Sequence, residues 1–97
     1  MLSFIDNEDT LICKFRSRLD TFNAQKLENE LNTRIAESTK TIIFDLEEVV
    51  FVSSYFLRIC MNTLKTIGTE KFKLQNVKSD IKKVFMIAGY DKYMNIM

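Results

Sequence analysis

Ninety-seven residues are enough for one domain with a core and leave little room for a second lobe. Hydrophobic residues make up 46% and charged residues 28%, the balance of a globular domain and not of a disordered tail, and 14 Lys/Arg against 13 Asp/Glu leave a net charge of +1. With no histidine, two cysteines and two glycines, the chain lacks histidine bases, Cys-His dyads, most zinc cages and glycine-rich phosphate loops, so no metal or cofactor is expected.

The opening residues, Met1 to Asp6, carry no basic region, long apolar stretch or cleavage signature. That predicts no signal peptide, and a cytoplasmic location. No apolar run approaches the roughly 20 residues of a membrane span. Leu2–Ile5 and Thr10–Phe15 are short segments rich in β-favouring residues around the turn-like Asp6-Asn7-Glu8-Asp9. They predict a β-hairpin. A helix follows, with Asn23 as its expected N-cap and Ala24, Leu27, Leu31 and Ile35 forming one apolar stripe. Gln25, Lys26, Glu28, Glu30 and Arg34 fall on its polar side.

Thr41 to Leu46 is a continuous apolar run with one acid, Asp45, suited to a central strand. Val49–Val52 is a second, separate apolar stretch. Ser53-Ser54 then opens a helix carrying Phe56, Leu57, Cys60, Leu64 and Ile67, which stops at Gly68. Lys71–Val77 alternates around Phe72 and Leu74 as another strand. A third helix starts near Ser79 with Ile81, Val84, Phe85 and Ala88 facing inward, and ends at Gly89. Tyr90 to Met97 is expected to add a last helical turn or two. The order predicts an α/β fold: a single-domain sandwich with a four- to five-stranded mixed sheet and helices mainly on one face.

Charge is uneven along the chain. Residues 1–50 carry six Lys/Arg and ten Asp/Glu (−4), and residues 51–97 carry eight and three (+5). Lys78, Lys82 and Lys83 read as the solvated face of one helix, and Lys71 and Lys73 as the outward side of a strand. Little aromatic residue is interleaved among them, so no direct nucleic-acid partner is expected. Cys13 and Cys60 lie in apolar surroundings, as buried free thiols do.

Two serines at a helix start are caps by default, since their hydroxyls accept from unpaired backbone N–H groups. A helix start also accommodates a phosphate, and Arg58 lies one turn beyond Ser54 to pair with it. The dipeptide alone leaves both roles open. Asp45 is a lone carboxylate, and Glu47-Glu48 are sequence neighbours that read as solvated charge, so nothing here points to an enzyme.

The stretch from Ile42 to Arg58 resembles the signature of STAS domains, the fold of bacterial anti-sigma factor antagonists. Asp45-Leu46, Phe51-Val52, Ser53-Ser54, Leu57 and Arg58 fall in register with it, without a gap. Ser17-Arg18-Leu19-Asp20 resembles the family's Gly-x-Leu-Asp. Leu74-Gln75-Asn76-Val77, Val84-Phe85 and Ala88-Gly89-Tyr90 resemble its closing strand and helix. The resemblance implies a non-enzymatic partner-switching protein. Such a protein binds an anti-sigma factor that is also a serine kinase, and is released by phosphorylation of a serine at this helix start.

Anchored on Leu57, the family's Asp falls on Ser53, its first serine on Ser54, its usually phosphorylated serine on Tyr55 and its glycine on Phe56. The resemblance therefore implies Ser54 as phosphoacceptor, with Ser53 in reserve. It implies a partner surface of Asp20, Ser53, Ser54, Tyr55, Phe56 and Arg58, with Phe56 obstructing close approach. Two other readings stay open. One is a STAS module without a phosphoswitch. The other is a relative binding a small ligand or lipid in a pocket near Ser53–Phe56.

Overall fold

The computed structural model describes residues 1–97. Leu2–Asp6 (β1) and Thr10–Leu19 (β2) pair antiparallel across the expected turn. Thr21–Ala36 (α1) returns the chain to Thr41–Val52 (β3), and Ser54–Ile67 (α2) returns it to Phe72–Gln75 (β4). Ser79–Ile87 (α3) then leads to Asn95–Ile96 (β5), so the C-terminus ends in a 3-10 turn at Tyr90–Lys92 and a short strand where helical turns were expected. The five strands lie in the order β1-β2-β3-β4-β5, with β2 to β5 parallel. No helix is long and apolar enough to cross a membrane.

Strand alternation fills one face of the sheet: Leu11, Cys13 and Phe15 from β2, Ile42, Phe44 and Leu46 from β3, and Phe72 and Leu74 from β4 are all buried. The α1 stripe Ala24, Leu27, Leu31 and Ile35 is buried as its spacing predicts. Phe15 stacks edge-on against Phe44 at 4.9 Å, and Phe44 against Phe72 at 4.8 Å between ring centroids. In α3, Ile81 and Phe85 enter the core while Val84 and Ala88, expected inward, are exposed. A nine-residue helix lying on a sheet buries one narrow side, and Ile81 and Phe85 define it.

The two apolar stretches at Thr41–Leu46 and Val49–Val52 are one strand. Opposite β2, residues Asp45 to Glu48 span the same length as Lys14 to Arg16, and Val49 to Phe51 the same as Ser17 to Arg18. Each mismatch is a β-bulge with one extra residue on β3. The inward positions show it, running 42, 44, 46 and then 49 and 52. The first bulge is held by Asp45, whose Oδ1 accepts from the Glu47 backbone N–H at 3.0 Å and from Asn76 Nδ2 at 3.2 Å. Glu47 and Glu48, turned outward there, meet Lys14 and Arg16 across the strand pair. At the second bulge Ser17 takes a φ of 66°, the left-handed region that glycine adopts freely. Ser17 stands where the STAS pattern has its glycine.

Candidate functional site

The parallel strands β2, β3 and β4 all deliver their C-terminal ends to one side of the domain, and α1, α2 and α3 all begin there. The last ladder pair between β2 and β3 is Leu19↔Val52. Asp20 and Ser53 are thus equivalent, each the first residue beyond its strand and each the N-cap of the next helix. Asp20 Oδ1 accepts from the Asn23 N–H at 2.8 Å, so Asp20 is the cap that the sequence assigned to Asn23. Asn23 lies inside the first turn and its side-chain amide donates to the Arg18 carbonyl at 2.9 Å. The strand end, set by pairing with β3, leaves Asp20 as the first residue free to cap.

At α2 the two serines divide the work. Ser53 is half-buried, and its Oγ accepts from the Phe56 N–H at 3.3 Å. Ser54 is exposed, and its hydroxyl takes part in none of the domain's side-chain hydrogen bonds. Arg58, also exposed, lies one turn on with its guanidinium 5.4 Å from the Tyr55 ring centroid.

Tyr55 and Phe56 meet different neighbours. The Tyr55 phenol donates to Glu28 Oε1 on α1, tying the first turn of α2 to its neighbour. That hydrogen bond, with partial burial and the Glu28 charge, raises the Tyr55 pKa, and Arg58 opposes the shift. Glu28 falls on the polar side of its helix by spacing, and no local signal links residues 27 apart. Phe56 is 0% exposed, with its ring 5.1 Å from Phe15 and 6.2 Å from Phe44. Its ring belongs to the core, whereas the resemblance implied an obstruction on the docking surface. The small residue of the STAS pattern is here replaced by a hydrophobic anchor.

No surface cavity of the domain is lined by any of residues 53–56. The largest, about 480 Å³, lies further along α2 against the C-terminal segment, between Met61, Leu64 and Tyr93. A ligand pocket near Ser53–Phe56 is therefore not what this end of the sheet offers.

A mixed five-stranded sheet whose parallel strands lead into three helices at one end is the SpoIIAA-like fold. The chain belongs to the STAS domain family, which matches residues 2–97. Domains of this family are regulatory and non-enzymatic.

Among solved structures, an anti-sigma factor antagonist from Mycobacterium paratuberculosis superposes with a TM-score of 0.89 at 22% identity, covering 99% of this chain and 83% of that one. The anti-sigma factor antagonist SpoIIAA in its unphosphorylated form gives 0.79 at 18% identity, with 100% and 88% covered. The phosphorylated form of the Bacillus cell fate determinant SpoIIAA gives 0.72 at 18% identity, with 100% and 91% covered. A comparison with curated protein sequences returns no match.

Proposed function

We propose that this domain is a partner-switching antagonist: it binds a kinase-like anti-sigma factor in the cytoplasm through the start of α2 and is released by phosphorylation of Ser54. One observation carries the choice of residue. Of the two serines, only Ser54 is exposed with an uncommitted hydroxyl, while Ser53 holds the helix cap. A kinase reaching Ser54 meets Asp20, Ser53, Tyr55 and Arg58 around it. In the transfer, Ser54 Oγ bonds to the γ-phosphorus of ATP, the bond to the β-phosphate oxygen breaks, and the hydroxyl proton is released. The product adds a charge of about −1.5 to −2 at a helix N-terminus, where the free N–H groups and Arg58 favour it. The fold tolerates that charge, whereas a close-packed interface does not.

The test begins with recovery of an ATPase of the kinase-like class on the tagged domain from its native cells. Ser54→Asp is expected to keep the parent's melting temperature and weaken binding at least about tenfold, or about 1.4 kcal/mol. Ser54→Ala is expected to keep binding and block phosphorylation. Equal binding by Ser54→Asp and the parent, or phosphate found only elsewhere by mass spectrometry, would sink the switch at Ser54.

A second reading has its own support. Tyr55 occupies the position of the usually phosphorylated serine, and its hydroxyl is engaged with Glu28. This favours a module that binds constitutively. Partner binding with no phosphate on any serine after incubation with kinase and ATP would select that reading.

A further inference from the structure

β1 is an open edge of the sheet, since its one neighbour is β2. The Arg16 N–H donates to the Met1 carbonyl and the Asn7 N–H to the Thr10 carbonyl, both at 2.9 Å. With unbroken register between these bonds, Ser3 and Ile5 turn their backbone groups to Lys14 and Ile12. Leu2, Phe4 and Asp6 therefore turn their N–H and carbonyl groups to the open edge. Proteins guard such an edge with proline, lysine, a bulge or a very short strand. β1 has none of these: it is five residues long, free of Pro and Lys, and without a register shift. β5, at the other edge, has two residues.

Beside the open edge runs a groove between β1 and α1. One part, of about 270 Å³, is lined by Leu2, Lys26 and Glu30, and the next, of about 290 Å³, by Phe4, Glu30 and Arg34. Arg34 lies 4.6 Å from the Phe4 ring centroid and 3.6 Å from Asp6. The helix thus follows β1 in the same direction. Its flank on this side alternates in charge along one stripe: Lys26, Glu30, Arg34 and Glu37.

We propose that β1 is a dimerisation strand, to which a second copy of this chain adds its own β1 antiparallel. A two-fold axis at Phe4 pairs Leu2 of one copy with Asp6 of the other, and Phe4 with Phe4. Every open-edge backbone group of β1 then finds a partner. The same axis lays the two α1 stripes antiparallel, and the order base, acid, base, acid is complementary to its own reverse. Glu30 of one copy faces Arg34 of the other, and Lys26 faces Glu37. Asp6 keeps Arg34 and Lys40 of its own chain and arrives beside Lys26 of the other copy. An unrelated extended peptide would satisfy the backbone groups but not this charge order. β2 separates β1 from β3, so the start of α2 stays open in the dimer.

The test combines sedimentation over a concentration series with hydrogen exchange of the ¹⁵N-labelled domain. A reversible dimer is expected, and the Leu2, Phe4 and Asp6 amides should exchange at least about tenfold more slowly in concentrated than in dilute samples. The Ser3 and Ile5 amides, already bonded to β2, should change less. Glu30→Arg and Arg34→Glu are each expected to weaken self-association at least about fivefold. An equimolar mixture of the two variants should restore it, because each acid then meets a base across the axis. Leu2→Pro removes one open-edge donor and spares the β1–β2 bonds. It should also weaken the dimer, with the melting temperature at dilution within a few degrees of the parent's. A monomer at all concentrations up to about 1 mM, slowed exchange centred on α2 or α3, or a mixture that fails to re-associate would each overturn the proposal. So would equal slowing of the same amides by an alternating Thr-Val peptide on a monomeric domain, which would assign the edge to a foreign strand.

Discussion

The backbone N–H of Ser53 donates to the carbonyl of Leu19 at 2.9 Å, carrying the β2–β3 ladder one step past its last residue pair. This bond sets the start of α2 against the start of α1. Because Asp20 and Ser53 follow paired strand ends, their helices open side by side. The contact thus ties the first residue beyond β3 to the last residue of β2.

The two serines should separate cleanly by stability. Ser53→Ala removes the acceptor of the Phe56 N–H and is expected to cost about 1 kcal/mol. Ser54→Ala removes an exposed hydroxyl and should change stability by no more than about 0.5 kcal/mol. Urea denaturation of both variants decides the matter. Equal losses would mean that the cap is shared.

Restoring the small residue of the STAS pattern should be harmful here. Phe56 fills the space between Phe15 and Phe44. Phe56→Ala is expected to lose about 3–5 kcal/mol, and Phe56→Gly about 1 kcal/mol more for the flexible helix residue. Leu64→Ala, at a second buried position of the same helix, should lose about 2–5 kcal/mol. A Phe56→Gly domain as stable as the parent would show that the ring does not belong to the core.

Ser17 offers the opposite experiment. Its φ of 66° strains a residue with a Cβ by about 1–2 kcal/mol, while glycine adds about 0.5–1 kcal/mol of unfolded-state freedom. Ser17→Gly is therefore expected to be neutral or to stabilise by up to about 1 kcal/mol. Ser17→Val should destabilise by at least about 1 kcal/mol, since a β-branched side chain fits this region worst. Loss of stability in Ser17→Gly would overturn the account of the bulge.

The Tyr55–Glu28 bond predicts an alkaline signature. Its hydrogen bond to Glu28, then burial, raises the Tyr55 pKa above the ordinary value of 10.0. A folded-state pKa raised above the unfolded one contributes stability that is present below pH 10.0 and is lost as pH rises through the higher folded value. Phenolate absorbance of the parent minus that of Tyr55→Phe isolates this group. Glu28→Gln should shift the isolated titration to lower pH. An unmoved curve would remove Glu28 as the cause.

Both thiols should be silent in the folded domain. Burial pushes the Cys13 thiol up to about 12 and raises that of Cys60 well above the usual range. At mildly alkaline pH neither presents an appreciable thiolate, which is the reactive form. Labelling with a thiol reagent should then proceed at the rate of domain opening and accelerate in urea. Immediate labelling of one thiol in native buffer would contradict its burial.

Much of this domain was determined by local pattern in the sequence. Alternation at Leu11, Cys13 and Phe15, the stripe from Ala24 to Ile35, and the serine pair before an apolar helix are each local signals, and each element formed where its period called for it. Tertiary structure decided what depends on residues distant in the chain. Whether Asp20 or Asn23 caps α1 followed from where β2 stops pairing with β3. Whether Val49–Val52 is a new strand or the same one followed from two bulges, held in part by Asn76 from beyond β4. The inward turn of Phe56 and the outward bond of Tyr55 to Glu28 were set by the packing of α2 on the sheet and beside α1. Sequence period states which side chains share a face. Only the neighbours that cover or leave that face determine which of them a partner can touch.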